Sequence, residues 1–248
     1  MKRLLMFLVC TGCLAAMAQQ PPSPAPGRPL AGEPLDALLK RRDAAAEAEL
    51  GRRFEAAPDG LDKQRIAVVL VVRERDDDPY FNYLAGRARK AVGSTMPFPF
   101  EFDDAGRSVP KQLSAEFLTW AARNQVEPEP AAARAVRELP LDVFMLALTG
   151  DPRGSEILLK GLDSPNYMVV YRAAWGLAKL RMASAVPRIA GAAERAPEEA
   201  RQLIARTLVL FDTPEAQAAA ERLIKDKRIL QELRENARQM LEAGVGDS

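Results

Sequence analysis

Apolar residues recur at helical spacing along most of the chain, and in its second half the pattern repeats about every 30 residues. In the clearest copy, an Ala/Leu-rich stretch at 170–180 precedes a second apolar stretch at 185–189. A similar pair occupies 204–211 and 216–223, and a more polar copy at 236–241 closes the chain. A period of this length indicates helix pairs that bury their apolar faces against the next pair. The pattern therefore predicts an all-α fold, an α-solenoid of stacked antiparallel helix pairs.

Prolines mark the predicted helix starts in this half of the chain. They occur in the pairs Asp151-Pro152, Ser164-Pro165, Ala196-Pro197 and Thr213-Pro214. A polar cap satisfies a free N–H of the first turn, and proline suits the first helical position because it has no N–H to leave unpaired there. Each pair is therefore predicted to begin a helix.

The first half is predicted to be helical as well, although its spacing is less regular. Apolar positions within 35–54 share one helical face, and the stretches 80–92 and 114–124 show the same amphipathic pattern. The Val- and Ile-rich stretch 66–75 also suits a buried strand. Since no second stretch of equal quality is available to pair with it, we favour a helix there.

Two stretches interrupt this helical pattern. Within 94–112, three aromatic residues alternate with prolines and a glutamate, which is the period of an extended chain. These aromatic residues are Phe98, Phe100 and Phe102. Residues 127–130, with two prolines, are predicted to be a linker before a short Ala-rich helix that ends near Leu139.

The N-terminus has the features of an export signal. Lys2 and Arg3 precede an apolar stretch of about 15 residues that ends in the small-x-small site Ala16-Met17-Ala18. A membrane-spanning helix needs roughly 20 residues, so no membrane span is predicted. We expect residues 1–18 to be a cleaved signal peptide and the protein to be periplasmic or secreted.

A lipid anchor is the alternative for the same residues. Cys13 follows Thr11-Gly12, which suits a bacterial lipoprotein processing site, although Cys10 stands where such sites prefer leucine. The protein would then be a lipid-anchored envelope protein. The whole chain is predicted to comprise the signal peptide 1–18, a Pro-rich flexible linker 19–33, an N-terminal helical region with the insertion 34–139, and the repeat region 140–248.

Composition excludes several classes of function. The chain has no histidine, and its two cysteines both lie in the predicted signal. Nucleophilic sites of the Ser-His-Asp and Cys-His kinds are therefore excluded, and we expect neither a metal nor a cofactor. Without Lys2 and Arg3 the chain has 33 basic and 34 acidic residues. This balance lacks the basic excess that binding to nucleic acid requires.

The best copy of the repeat resembles a known family. Residues 170–180 follow the pattern V-x-R-A-A-x-x-L-x-x-L, and residues 185–189 follow A-V-P-x-I. These motifs resemble HEAT-like repeats, in particular the short bacterial type of the phycobilin lyases. The resemblance covers about 141–243 and, weakly, 35–124. It implies an α-solenoid that most often binds proteins. It does not imply lyase activity, because those enzymes act on cytoplasmic pigment proteins and this chain is expected to be exported.

Two groups of aromatic residues are candidate contacts for a partner. Tyr167, Tyr171 and Trp175 stand at i, i+4 and i+8 and so line one stripe of a helix. The resemblance implies polar residues at the positions of Tyr171 and Trp175, and core positions at Ala173, Ala174 and Leu177. Exposed Tyr and Trp side chains are frequent binding anchors. The alternative is that these rings pack beneath the insertion or against a neighbouring helix.

The second group consists of Phe98, Phe100 and Phe102, in the insertion. These residues could contact a partner, could add a strand to one, or could simply pack onto the helices. With Glu101, Asp103 and Asp104 they also offer a weak Ca²⁺ site, but the acidic residues lack the regular spacing of a calcium loop.

The function expected from these observations is a non-enzymatic scaffold that binds another envelope protein or peptide. One enzymatic signature fails: Ser108 and Lys111 match S-x-x-K, but Pro110 disfavours the required helix and no Lys-Ser/Thr-Gly element is present. The alternatives are a carboxylate-based hydrolase that uses Glu101 or Asp103, and a structural subunit of an envelope complex.

Overall fold

The computed structural model describes residues 30–73, 78–102 and 108–245. The predicted signal peptide 1–18, Cys13 and most of the linker 19–33 lie outside these residues. Apart from one β-hairpin, the regular elements of the described residues are helices, so the fold is all-α as predicted. Within these residues no helix is both long and apolar enough to cross a membrane. The chain forms two compact units, Met1–Glu74 and Arg75–Ser248.

Within residues 30–73, the described part of the first unit, a short 3₁₀ turn is followed by three helices: α1 (Leu35–Leu38), α2 (Ala44–Ala56) and α3 (Leu61–Val72). The predicted apolar face is buried at Leu38, Leu50 and Phe54. However, the helical face predicted over 35–54 is split, because the Asp43 carboxylate caps α2 by accepting from the N–H of Ala46 at 3.0 Å. The Val/Ile-rich stretch is helical, as we favoured, because it belongs to α3. Helix α3 packs on α2.

The second unit begins with α4 (Asp78–Val92) and the hairpin. Strands β1 (Phe100–Phe102) and β2 (Ser108–Leu113) pair antiparallel, with Phe100 opposite Leu113. Helix α5 (Ala115–Asn124) follows and is capped by Ser114, whose hydroxyl accepts from the N–H of Phe117 at 3.1 Å.

A single long helical stretch follows, where a linker and a short helix were predicted. It comprises α6 (Pro128–Ala133), a π-helical segment (Arg134–Glu138) and α7 (Leu139–Thr149). The predicted linker at 127–130 is wrong because Pro128 occupies the first helical position, where its missing N–H costs nothing. The helix also continues through Leu139, because the wide π turn accommodates Pro140.

Six further helices follow in the described residues. They are α8 (Ser155–Gly161), α9 (Tyr167–Lys179), α10 (Val186–Arg195), α11 (Glu198–Ala205), α12 (Pro214–Leu223) and α13 (Lys227–Val245), with 3₁₀ turns at Pro152–Gly154, Ala183–Ala185 and Arg206–Leu210. Helix α7 packs against both α4 and α9, and α10 packs against α11 and α12. One core joins these helices; its largest members include Phe117, Leu139, Leu158, Leu177 and Ile189.

The four predicted helix starts agree with the structure to different degrees. Thr213 caps α12 as expected, since its hydroxyl accepts from the N–H of Ala216 at 3.2 Å. Asp151 caps a 3₁₀ turn that leads into α8. Helix α9 begins two residues later than Pro165, because the cap is Asn166. Pro197 lies just before α11 rather than in its first helical position.

Candidate functional site

Helix α9 holds the three aromatic residues that the sequence singled out on its stripe. Tyr167, Tyr171 and Trp175 are all half-buried and pack against the edge of the core. Ala173 and Leu177, on the other side of the helix, are completely buried. The stripe therefore lies at the boundary between core and solvent, where each ring has one packed face and one accessible part.

The hairpin region and the first turn of this helix together line a partly open cavity. Phe98, Phe100 and Tyr167, three of the six predicted contact residues, line it together. The two phenylalanine rings stand edge to face, with their centroids 5.8 Å apart. The cavity measures about 230 Å³, and its other lining residues are Glu101, Ser114, Glu116, Pro165 and Pro197. We call this cavity the hairpin pocket.

Two carboxylates lie at the hairpin pocket. Glu101 accepts hydrogen bonds from the side-chain amide of Gln112 and the N–H of Ala115, both long at 3.4 Å. Glu116 is exposed in the first turn of α5. The pKa of the Tyr167 hydroxyl is raised, mainly by burial and further by the negative charge of Glu116. The field of that carboxylate therefore reaches the aromatic wall.

The other end of the stripe belongs to a second cluster, formed with α7. Phe144 contacts Trp175 with the ring centroids 5.2 Å apart. The guanidinium of Arg172 lies 4.4 Å from the centroid of Phe144 and 5.1 Å from that of Tyr171. Lys179 lies 5.8 Å from the centroid of Trp175. We call these five residues the α7–α9 cluster.

Lys179 also joins the two helices of this cluster directly. Its ammonium group donates to the carbonyl of Leu148, near the C-terminus of α7, where a cation is electrostatically favoured. Burial lowers the pKa of Lys179 below its ordinary value. The hydrogen bond therefore holds the cation against the end of α7.

Sequence reasoning identified the stripe but missed Phe144, Arg172 and Lys179. Phe144 belongs to a nearly continuous apolar stretch, which indicates core and nothing more. Lys179 stands four residues after Trp175, and this i, i+4 spacing was the available signal for a cation beside the indole ring.

The structure places the remaining candidates as follows. Phe102 ends β1, but its side chain lies outside the described part, as do Asp103 and Asp104. Within the described residues, no group of three or more acidic, cysteine or histidine side chains is arranged to hold a metal ion. Ser108 and Lys111 lie on strand β2, not on the helix that S-x-x-K enzymes use.

Part of the chain matches a known family. Residues 143–242 match the family model described as HEAT repeats, and this range contains α8 to α12 and most of α7 and α13. No curated protein and no solved structure matches the chain. The resemblance carried by residues 170–189 is thereby confirmed, and the Tyr167–Tyr171–Trp175 stripe lies inside the matched region.

Proposed function

Because this chain is a HEAT-like repeat protein, we propose that it is an exported, non-enzymatic scaffold that binds another envelope protein or a peptide from one. HEAT repeats commonly mediate contacts between proteins. The observation that supports this function best is the α7–α9 cluster, in which half-buried aromatic rings reach the surface inside the matched region.

A solenoid arrangement of α7 to α13 is part of this proposal. Helix α7 contacts α9, α9 contacts α8 and α11, and α10 contacts α11 and α12. Contacts between elements close in sequence are what a stack of helix pairs requires. Such a stack leaves its outward helix faces available for a partner.

The aromatic side chains of the cluster suit a partner interface. Tyr, Trp and Arg are enriched among the residues that dominate binding energy, and here all three types adjoin. Trp175 already has packing contacts on one side, so little side-chain entropy would be lost when a partner covers the other.

The proposal is tested by capturing partners from envelope extract with the purified chain and with its Trp175→Ala variant. We expect Trp175→Ala to weaken capture at least about tenfold, as the loss of an interface anchor does. Because Trp175 is only half-buried, we expect it to cost about 1–2 kcal/mol of stability, against about 3–5 for a fully buried tryptophan.

Trp120→Ala is the matched control. Trp120 is also half-buried in the second unit and stacks on Phe117, but it lies outside the α7–α9 cluster. Capture that survives Trp120→Ala and is lost with Trp175→Ala supports the scaffold. If Trp175→Ala leaves capture unchanged, or if it abolishes folding, Trp175 is a core residue and not an anchor.

The location of the protein has its own test. The signal peptide proposed at 1–18 predicts that the mature chain begins at Gln19 and fractionates with soluble envelope proteins. A lipid anchor at Cys13 predicts membrane association that a Cys13→Ser variant loses. Mass spectrometry of the mature N-terminus together with membrane fractionation separates the two.

A further inference from the structure

The hairpin pocket has the size and the walls of a site for a single side chain. Its volume of about 230 Å³ lies below the roughly 300–1,000 Å³ of pockets that enclose drug-sized ligands. Its apolar lining consists of the aromatic residues Phe98, Phe100 and Tyr167 together with Pro165 and Pro197. A slender side chain of a bound peptide fits this space better than a free metabolite does.

The charge at the pocket selects the kind of side chain. Glu101 and Glu116 both line the cavity, and its described lining residues include no lysine or arginine. Among the described residues none forms an ion pair with Glu116, and the two hydrogen bonds to Glu101 are both long at 3.4 Å. Both carboxylates therefore remain able to accept strong hydrogen bonds from a cation.

Three helix N-termini near the pocket oppose the binding of a cation. Helix α5 begins just after Ser114, α9 begins at Tyr167 and α11 begins just after Pro197. Each N-terminus is equivalent to about half a positive charge, and its effect decays within the first turn. The side chains of Ser114 and Asn166 already cap the first two. Two full negative charges therefore outweigh these partial positive ones.

We propose that the hairpin pocket binds an arginine side chain of the partner. Its guanidinium would stack on the rings of Phe98, Phe100 or Tyr167 and donate to Glu101 and Glu116. Arginine suits this site better than lysine because its planar group both stacks on rings and donates two parallel hydrogen bonds to a carboxylate. Burial is the main cause of the raised pKa of Tyr167, and the negative charge of Glu116 adds to it. This inference rests on the proposed scaffold function.

The experiment is a titration of the full-length chain with N-acetyl-arginine amide, with N-acetyl-citrulline amide as the uncharged probe of the same shape. Binding is followed by the NMR shifts of ¹³C-labelled Phe and Tyr rings. We expect the arginine probe to shift the rings of Phe98, Phe100 and Tyr167. Citrulline should bind at least about tenfold more weakly, since it lacks the charge that rings and carboxylates recognise.

Two variants connect the binding to the pocket. Glu116→Gln removes one carboxylate from an exposed position and should weaken arginine binding about three- to tenfold without unfolding the chain. Glu129→Gln removes the same charge from the first turn of α6, outside the pocket, and should leave binding unchanged. Equal binding of both probes, unshifted pocket rings, or equal effects of the two variants would each overturn the proposal.

Failure of this proposal is distinguishable from failure of the scaffold function. If the arginine probe does not bind while partner capture still depends on Trp175, the scaffold stands and the arginine pocket is wrong. If the arginine probe binds as expected and envelope extract yields no partner, the pocket is correct and the scaffold function is wrong.

Discussion

At the scale of single residues, Asn166 supplies a hydrogen bond that Pro140 cannot donate. In the π-helical segment, the N–H of Leu139 bonds to the carbonyl of Arg134. The carbonyl of Ala135 would next receive the N–H of residue 140, but Pro140 has none. The side-chain amide of Asn166 donates to that carbonyl at 2.8 Å, and its oxygen caps α9 by accepting from Met168 at 3.1 Å.

We therefore expect Asn166→Ala to lower the free energy of unfolding by about 2–4 kcal/mol. Loss of the cap costs about 1 kcal/mol, and a buried carbonyl without a donor costs about 1–3 kcal/mol more. Asn166→Ser should recover only the cap, since its shorter side chain cannot reach Ala135. Urea unfolding followed by tryptophan fluorescence measures all three proteins.

A second substitution tests this explanation directly. Pro140→Ala supplies the missing N–H, so it should recover part of the stability that Asn166→Ala loses. Asn124→Ala is the control, because Asn124 is exposed and bonds only within its own helix end; its cost should stay below about 0.5 kcal/mol. A cost for Asn166→Ala as small as this would contradict the compensating role of Asn166.

At the scale of helices, glycines set how closely α7, α8 and α9 approach. A Cβ added at Gly176 of α9 would lie 2.6 Å from the Cβ of Ala147 and 2.9 Å from a methyl carbon of Leu158. A Cβ added at Gly161 of α8 would lie 2.7 Å from the Cβ of Ala173. The core here is built around two positions that have no side chain, and real Cβ atoms do not approach so closely.

We expect Gly176→Ala to destabilise the protein by about 1–3 kcal/mol, because two helices have to move apart to admit one methyl group. Gly86→Ala is the matched control: Gly86 lies inside helix α4, and an added Cβ there meets nothing within 4 Å. It should stabilise the protein by about 0.5–1 kcal/mol, since alanine favours the helix. Thermal unfolding by circular dichroism measures both, and two changes of the same sign would refute the close-packing argument.

Helical periodicity was sufficient to predict most helices and the α9 stripe, but not the features that depend on contacts between distant residues. The split of 35–54 has a local cause that the apolar pattern does not show: Asp43 caps α2, and Arg41 donates to both Glu33 and Asp43 at the break. The hairpin pocket brings together Phe100 and Tyr167, which are 67 positions apart and which no local pattern relates. Likewise, nothing in the sequence around Pro140 shows that a π turn, and not a helix end, accommodates it.

At the scale of the whole molecule, the candidate surfaces all belong to the second unit. This unit has its own continuous core, which extends from Ala91 to Leu230. The hairpin pocket and the α7–α9 cluster both lie within Arg75–Ser248, and so do both tryptophans. A unit of this size buries enough apolar surface to fold without further support. The first unit is thus not needed for either proposed contact.

We therefore expect a fragment of residues 75–248 to fold, and to capture the same envelope partner as the full chain. Its tryptophan fluorescence should report one cooperative unfolding transition, because Trp120 and Trp175 pack against the same core. Gly176→Ala in the fragment should lower its stability by the amount measured in the full chain, since separate units contribute additively. A fragment that melts without cooperativity would mean that the second unit depends on the first. A fragment that folds but captures no partner would instead place part of the binding surface in residues 1–74.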